Sequence, residues 1–469
     1  MRINRRKFLW GAAGVIALAG VGGGGYMLSR PSLLQDGAKS RADSVTTTDQ
    51  LPSKADVAII GGGIVGIMSA MYLKEKGYDV VVLEKGVIAG EQSSRAFGWI
   101  SSLGDSPRRL ALAAPTGTIW RGLSEKLGVD TSYRQNGLMF ECADDDSIAF
   151  WEQWAKDHPE QGGFEVKILR GADLAARLPG GASENWHAAV LQPMDGSVEP
   201  PLAVPQIARA LTGQGLKIVQ NCAVRGLETS GGAVSGVVTE KGMVACQSVV
   251  VAGGAWTRLF LQNLGIPLPL LRVYSYMLRV PEFANGPVGA AAGGGTAWRK
   301  EVGGGYSIGN PTNFASVQVD SFRFLPEFAG TVWNNWESFQ IVPNRELFDD
   351  LAAEKSWKNE DVTPFEKQRV LAPKPERELA ENALAGFKKA FPHAADVQVI
   401  ETWGGVIDMT PDQAPIIQKI DKIPGLVVAA GMSGHGLSMA PAAGQLVAEL
   451  IANETQTIVD PKEFLASRF

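Results

Sequence analysis

A short apolar run followed by a glycine-rich turn constrains the fold of this chain more than any other feature. Residues 57–60 read Val-Ala-Ile-Ile, and the run then breaks into Gly61, Gly63 and Gly66. Gly61 permits a tight turn, Gly63 lets the backbone approach a pyrophosphate, and Gly66 lets the next helix lie close to the strand. The next apolar run ends at Glu84, about twenty residues on, where a carboxylate binds ribose hydroxyls. The pattern predicts a dinucleotide-binding βαβ unit.

A second strand–turn–helix unit lies near the other end of the chain. The apolar run 426–430 breaks at Gly431-Met432-Ser433-Gly434-His435-Gly436 and resumes as a helical pattern. Two helix N-termini are therefore expected to face one anionic ligand. Because the material between the two units is rich in short alternating strands, the nucleotide domain is predicted to be discontinuous.

The predicted fold class is α/β: a Rossmann-like nucleotide domain, an antiparallel β-sheet substrate domain, a small helical insertion and an apolar N-terminal helix. The predicted boundaries are 1–30 for a signal or anchor, 31–53 for a linker without a core of its own, 54–105, 196–260 and 392–469 for the nucleotide domain, 106–195 and 261–343 for the substrate domain, and 344–391 for the insertion.

The N-terminal segment predicts that the catalytic part of the protein lies outside the cytoplasm. Arg5-Arg6-Lys7-Phe8-Leu9 resembles a twin-arginine export signal, and an apolar run continues from Phe8 to Leu28. The run is long enough to span a bilayer at about 1.5 Å per residue. The positive flank places the N-terminus in the cytoplasm, so we expect a single inner-membrane anchor with the catalytic domain in the periplasm. Cleavage near Ala17-Leu18-Ala19, which would give an exported soluble protein, is the alternative.

The net charge and the positions of the cysteines and histidines argue against several classes of function. The net charge is −5 and no basic field suits nucleic acid, so we expect no nucleic-acid partner. The three cysteines and four histidines are scattered, and they form neither a metal-ligand cluster nor a nucleophile set. The sequence therefore predicts no metal site and makes hydrolase chemistry a poor fit.

Four segments together resemble the amine-oxidising flavoproteins of the D-amino-acid oxidase superfamily. They are the Gly61–Glu84 unit, Val249–Trp256, Trp403–Asp412 and the Gly434-His435-Gly436 turn. Within that superfamily the chain looks most like the membrane-bound L-amino-acid deaminases of Proteus, almost from end to end. The resemblance implies FAD as cofactor, a small amino-acid substrate, 2-oxo acid and ammonia as products, and electrons passed to the respiratory chain.

The resemblance also assigns site residues. Arg299 matches the arginine that clamps the substrate carboxylate, and Trp99 and His435 are expected to face flavin or substrate. No cysteine lies near Trp403–Asp412 and no histidine near Gly61–Trp99, so the flavin is predicted to be non-covalent. The predicted FAD-binding residues are Gly61, Gly63, Ile64, Gly66, Glu84, Lys85, Gln92, Ser93, Ser94, Arg95, Val224, Gly253, Trp256, Gly434, His435, Gly436 and Leu437.

Two departures from the Proteus pattern leave the substrate preference open. Trp99 stands where those enzymes have glutamine, and His435 stands where they have tryptophan. His435 either donates to the flavin pyrimidine carbonyl or caps its turn structurally.

Three functional hypotheses follow from the sequence. The first is hydride transfer from an amino-acid Cα to flavin N5, which needs no strong protein base. The second keeps the fold but takes a D-amino acid or a secondary amine such as sarcosine. The third is a catalytically silent flavin-binding membrane protein.

Overall fold

The structure is a computed structural model, and it describes residues 21–35, 37–104, 106–158, 166–179, 186–309, 312–334, 339–375 and 377–469. Its centre is a six-stranded sheet, in which five strands are parallel and one edge strand is antiparallel. The strands are, in spatial order, Ile416–Lys419, Leu426–Ala430, Ser248–Val251, Val57–Ile60, Val80–Leu83 and Lys217–Val219. They come from three distant parts of the chain, as a discontinuous nucleotide domain requires.

Helices cover this sheet and bury its apolar strands. The helix Ile64–Glu75 packs on the long helix Gly436–Ala452, and residues of both belong to one hydrophobic core. The helices Pro107–Leu127 and Pro200–Gly213 complete that layer. A three-stranded antiparallel sheet of Val224–Ser230, Ala233–Thr239 and Gly242–Ala245 leads back into the central strand Ser248–Val251.

The second large sheet has ten strands and is mostly antiparallel, as predicted for the substrate domain, but two of its strand pairs are parallel. Ala290–Gly293 runs parallel to Leu138–Cys142, and Asn313–Ser316 runs parallel to Phe339–Val342. The other strands are Lys167–Leu169, Ala188–Gln192, Leu271–Val280, Thr296–Lys300, Tyr306–Gly309 and Glu401–Met409. A separate two-stranded pair joins Trp99–Ile100 to Gly196–Ser197.

The structure also describes several further helices. The α-helices are Gln92–Arg95, Asp145–Asp157, Gly171–Arg177, Thr257–Asn263, Val319–Arg323, Leu325–Asn334, Glu346–Ala352, Pro364–Lys367 and Arg377–Ala390. The 3-10 helices are Gly254–Trp256, Pro392–Ala394, Pro461–Phe464 and Ala466–Arg468. The predicted insertion 344–391 contains three of these helices, while the exact domain boundaries stay predictions.

The segment predicted as a linker packs against the folded body. Val45 is buried in the core of the nucleotide domain. The Arg41 guanidinium pairs with Glu401 at 2.8 Å and lies over the Trp403 ring. Residues 31–53 therefore do not behave as a free tether in this structure.

The N-terminal apolar run lies mostly outside the described residues. The described part begins with the helix Val21–Ser29. Among the described residues, no helix combines the length and the apolar character needed to cross a membrane.

We predict that Gly444→Ala destabilises the fold, because a Cβ there would lie 2.7 Å from the Met68 backbone carbonyl carbon, on the neighbouring helix. Forcing the two helices apart should lower the free energy of unfolding by about 1–3 kcal/mol. The measurement is urea denaturation of the purified protein. Gly122→Ala is the matched control, since that helical glycine is exposed and its Cβ would meet nothing within 4 Å. The control should be neutral or stabilising by up to ~1 kcal/mol, and equal losses for the two variants would contradict the packing argument.

Candidate active site

A large cavity opens where the central parallel strands end, and the glycine turns form its floor. Gly61 follows the strand Val57–Ile60 with φ of 112°, a conformation that favours glycine. A Cβ at Gly61 would lie 2.5 Å from the Ala252 carbonyl oxygen, at the end of the neighbouring strand. The cavity contains about 1490 Å³ of space not filled by atoms, including its open mouth. A residue without a side chain is therefore needed at position 61 for the ends of the two strands to approach this closely at the floor of the cavity.

The Glu84 side chain organises one end of this cavity. Its two oxygens accept hydrogen bonds from the backbone N–H groups of Gly62 and Gly86, each at 2.7 Å. Burial raises the pKa of this carboxyl, while the Lys85 charge and the two N–H groups oppose that rise. Glu84 lines the cavity at the position predicted for the ribose-binding carboxylate.

A second buried carboxylate, Asp408, organises the opposite wall, and the list of predicted site residues omits it. Asp408 accepts from the Gly431 N–H at 2.7 Å and from the Gln92 side-chain amide at 2.9 Å. Gln92 in turn accepts from the Ala255 N–H at 2.9 Å. The pKa of Asp408 is raised by burial and held down by these donors. Its place in the Trp403–Asp412 segment was the signal that could have identified it.

Most of the predicted cofactor residues line the same cavity. Those that do are Gly61, Gly63, Ile64, Glu84, Lys85, Gln92, Ser93, Arg95, Val224, Gly253, Trp256, Gly434, Gly436 and Leu437. Gly66 and Ser94 lie behind the wall: Gly66 is in close contact with the Gly61 carbonyl, and the Ser94 hydroxyl donates to the Glu91 carbonyl. Their predicted contribution to cofactor binding is therefore indirect in this structure.

The cavity has the chemistry that a dinucleotide requires. The N-terminal ends of the helices Ile64–Glu75 and Gly436–Ala452 both line it, so two sets of backbone N–H groups are directed towards one ligand. Two buried polar atoms of lining residues, Thr257 Oγ1 and Arg95 Nε, have no hydrogen-bond partner among the described residues. Because buried polar atoms normally find partners, both atoms fit a role in holding a bound group. Thr257, like Asp408, is absent from the predicted site.

A second cavity adjoins the first, and Ala96, Phe97, Gly434 and Leu437 line both. Aromatic rings form part of its wall: the Trp99 ring lies 4.8 Å from the Phe97 ring and 5.8 Å from the Phe140 ring, centroid to centroid. A small molecule in this second cavity would therefore lie beside the dinucleotide cavity, against an apolar surface.

Arg299, the predicted substrate clamp, is engaged within the protein. Its two terminal nitrogens pair with the Glu199 carboxylate at 2.6 and 3.0 Å, and its Nε donates to the Phe97 carbonyl at 2.9 Å. The side chain is 2% exposed, and it is not among the described residues that line either cavity. Breaking such a buried ion pair costs about 3–5 kcal/mol. The clamp role of Arg299 stays a prediction, and in this arrangement a substrate would have to displace Glu199.

His435 faces the second cavity and contacts Arg109. Its Nε2 lies 3.1 Å from the Arg109 Nη1, and its Nδ1 lies 2.8 Å from the Ser433 carbonyl oxygen. A guanidinium can only donate and a carbonyl can only accept, so these contacts require the neutral ring with its proton on Nδ1. These two contacts favour a role for His435 in holding the turn and in lining the second cavity. Flavin binding by His435 stays a prediction.

Asp195 supports the loop that forms one side of the second cavity. Its carboxyl oxygens accept from the Ser102 N–H at 2.9 Å and from the Ser102 hydroxyl at 2.6 Å. Burial raises the pKa of Asp195 to about 7, although the hydrogen bonds from Ser102 partly offset this rise. The sequence pattern contains no signal for this residue, because its burial arises from packing between distant loops.

Comparison with known proteins places this geometry among flavoproteins. Residues 56–450 match the family model described as FAD dependent oxidoreductase (DAO). The structure of L-amino acid deaminase from Proteus myxofaciens in complex with anthranilate is similar, with a TM-score of 0.89, 37% identity, and coverage of 92% of this chain and 97% of that one. Glycine oxidase of Pseudomonas aeruginosa is 24% identical over 87% of this chain and 97% of its own. A 4-methylaminobutanoate oxidase of Paenarthrobacter nicotinovorans is 25% identical over 88% of this chain, which spans 45% of that relative.

We predict that Glu84→Ala weakens flavin binding at least tenfold, or about 1.4 kcal/mol. The substitution removes the acceptor of two turn N–H groups together with the expected ribose partner. The measurement is the dissociation constant for FAD on reconstituting the apoprotein. Glu75→Ala is the control, because Glu75 forms an exposed ion pair with Lys126 and is not among the described residues that line the cavity. Equal affinity in the Glu84 and Glu75 variants would contradict the assigned role.

We also predict a pH-dependent stability term from Asp195. Its folded pKa of about 7 exceeds the ordinary value of 3.8, so the folded state holds the proton more tightly than the unfolded state. The resulting stabilisation is complete below about pH 4 and is lost as the pH rises through 7, by up to ~4 kcal/mol. Asp195→Asn should abolish this slope in the free energy of unfolding.

Asp130→Asn is the control for that experiment, because Arg134 lowers the pKa of Asp130 to about 2. Loss of the Asp130 carboxylate should leave the slope between pH 4 and 7 unchanged. Parallel pH profiles for wild type and Asp195→Asn would show that this carboxyl is not responsible.

Proposed function

Because the chain belongs to the DAO family of FAD-dependent oxidoreductases, we propose that it deaminates amino acids oxidatively to 2-oxo acids and ammonia. The predicted resemblance to the Proteus L-amino acid deaminases is confirmed by the similarity to a solved structure of that group. The chain is an FAD-dependent oxidoreductase acting on CH–NH₂ groups, and FAD is its cofactor.

The observation that carries the proposal is that the two cavities lie side by side and share lining residues. The turn Gly434-His435-Gly436 separates them, with Gly434 lining both, Gly436 lining the dinucleotide cavity and His435 lining the second cavity. A substrate in the second cavity would thus lie beside the isoalloxazine end of the cofactor, given that Glu84 occupies the ribose end. This adjacency is what a direct transfer from substrate to flavin requires.

The protein's own residues orient the substrate and exclude water. Phe97, Trp99 and Phe140 provide the apolar wall, and the buried carboxylates Glu84 and Asp408 hold the turns in place. Bound FAD would supply the acceptor for the hydride that leaves the substrate Cα, and that hydride carries both electrons of the oxidation. Among the described residues that line the second cavity there is no carboxylate, which agrees with a reaction that needs no strong protein base. Water then hydrolyses the released imino acid.

The side-chain and stereochemical preferences are not transferred from the Proteus enzymes. Trp99 and His435, the two departures from that pattern, both line the second cavity. Substrate preference is set by the residues that touch the substrate, so these two substitutions give the cavity its own selectivity.

A secondary amine is the second candidate substrate class. The similarity to 4-methylaminobutanoate oxidase favours it, because that name contains an N-methylated substrate. We also propose the single inner-membrane anchor, the periplasmic catalytic domain and the respiratory-chain acceptor, on the support of the twin-arginine pattern and the apolar run that follows it.

The test is anaerobic reduction of the flavin. We expect the 450 nm region of the absorbance spectrum to bleach when L-amino acids, D-amino acids or sarcosine are added in turn, and one class to react at least tenfold faster than the others. Ammonia release in the presence of an artificial acceptor should accompany the bleaching. Bleaching by sarcosine alone would select the secondary-amine function. Absence of bleaching by every compound, with FAD bound, would refute the deaminase function and favour the silent flavin-binding protein.

A further inference from the structure

The segment 39–47 packs against loops that form the dinucleotide cavity, although the sequence predicts it to be part of a linker without a core of its own. Gln220 joins this segment to the loop that precedes the helix Gln92–Arg95. The Gln220 side-chain amide donates to the Val45 carbonyl at 2.9 Å, and its carbonyl oxygen accepts from the Ile88 N–H at 2.7 Å. We call residues 39–47 the strap, and these contacts make it a fixed part of the folded body.

Arg41 ties the strap to the helix Gln92–Arg95 and to the strand that contains Glu401. Its Nε and Nη2 donate to the two Glu401 carboxylate oxygens at 2.9 and 2.8 Å, and its Nη1 donates to the Ser94 carbonyl at 3.3 Å. The guanidinium carbon lies 3.8 Å from the centroid of the Trp403 ring. One arginine makes all these contacts because its planar head has several donors in a fixed fork and a flat face that stacks on an aromatic ring.

Arg95, at the end of that helix, lines the dinucleotide cavity and is 6% exposed. Its terminal nitrogens donate to backbone carbonyls, Nη1 to Gly404 at 3.1 Å and Nη2 to Lys39 at the start of the strap. The Arg95 carbonyl accepts from the indole N–H of Trp403 at 3.1 Å, and this is the ring over which Arg41 lies. The strap and the Trp403 strand therefore hold Arg95 at both its backbone and its guanidinium.

The Nε of Arg95 is left for a group bound in the cavity. This atom is buried and has no hydrogen-bond partner among the described residues. Burial, together with the Arg41 charge, lowers the pKa of Arg95 to about 10, so the guanidinium stays protonated at neutral pH. A buried cation is costly unless acceptors surround it. FAD has pyrophosphate and flavin carbonyl oxygens that can accept such a hydrogen bond.

We propose that Arg41 is a positioning residue of the flavin site, which holds the helix Gln92–Arg95 so that Arg95 Nε donates to bound FAD. The strap then contributes to cofactor retention although none of its residues is among those described as lining the dinucleotide cavity. The inference rests on FAD as the cofactor and is independent of which amine is oxidised.

The first experiment measures the FAD dissociation constant by diluting the loaded protein and following the fluorescence of the released flavin. We expect Arg41→Gln, which loses the Glu401 pair and the Ser94 contact, to raise this constant by roughly fivefold or more, the equivalent of about 1 kcal/mol. Arg41→Lys keeps a charge beside Glu401 and should restore part of the affinity.

The matched control is Arg468→Gln. Arg468 also pairs with a carboxylate through two nitrogens, to Asp412 at 2.8 and 3.0 Å, and it also donates to backbone carbonyls. Neither residue is among those described as lining the dinucleotide cavity. The control therefore removes a similar set of contacts, and the FAD dissociation constant should change less than about twofold.

A double-mutant cycle tests whether Arg41 acts through Arg95. If it does, Arg41→Gln in an Arg95→Gln background should change the FAD dissociation constant less than about twofold, since the donor that Arg41 positions is already absent. A loss that reflects only a weakened fold would be the same in both backgrounds. Arg95→Lys takes the place of Arg95→Gln in the cycle if the glutamine variant retains no FAD.

Two results would overturn the proposal: wild-type FAD affinity in Arg41→Gln, or equal losses in the two backgrounds of the cycle. The thermal midpoint at saturating FAD verifies that each variant is folded, and Arg41→Lys decides the matter if Arg41→Gln does not fold. Failure of every amine to reduce the wild-type flavin would refute the deaminase function, while the FAD affinities would still decide the role of Arg41.

Discussion

The structure depends on backbone contacts that leave no room for a side chain at the floor of the large cavity. Gly61 meets Ala252, and Gly66 meets Gly61, so the first helix can start directly above the ends of the parallel strands. The Gly444 contact with Met68 then lets the C-terminal helix pack beside the first. Because a glycine makes each of these three close contacts, the N-termini of both helices can reach the same cavity.

Buried carboxylates hold the turns in the shape that the glycines permit. Glu84 and Asp408 each accept from backbone N–H groups of a turn that lines the cavity. Asp195 does the same for the Ser102 loop of the second cavity. All three carboxyl groups have a raised pKa because of burial, and each is partly compensated by its donors. The site is thus pre-organised by groups that contact the backbone rather than the reacting atoms.

The nucleotide half could be predicted from sequence to a large extent. The strand predicted at 426–430 is confirmed as Leu426–Ala430, and the helix predicted after the Gly434-His435-Gly436 turn is confirmed as Gly436–Ala452. Local signals suffice there, because the glycine spacing and the apolar runs report backbone geometry directly. Thr257 escaped the prediction because a lone hydroxyl has no spacing rule of its own, and Asp408 was missed although it lies in the Trp403–Asp412 segment that carries the family resemblance. The parallel pairs in the second sheet escaped it because pairing direction between distant strands is a matter of topology.

By itself, the sequence determined the dinucleotide fold, which follows from glycines and an acidic residue at short, regular intervals, while its resemblance to known flavoproteins implied the cofactor and the family. Tertiary structure alone decided which partner each charged side chain meets. Arg299 is matched with Glu199, a hundred residues earlier in the chain, while Arg109 meets His435 across an even longer separation. The strength and availability of a charge depend on its partner and on its distance from water, and neither is encoded in the local pattern around the residue.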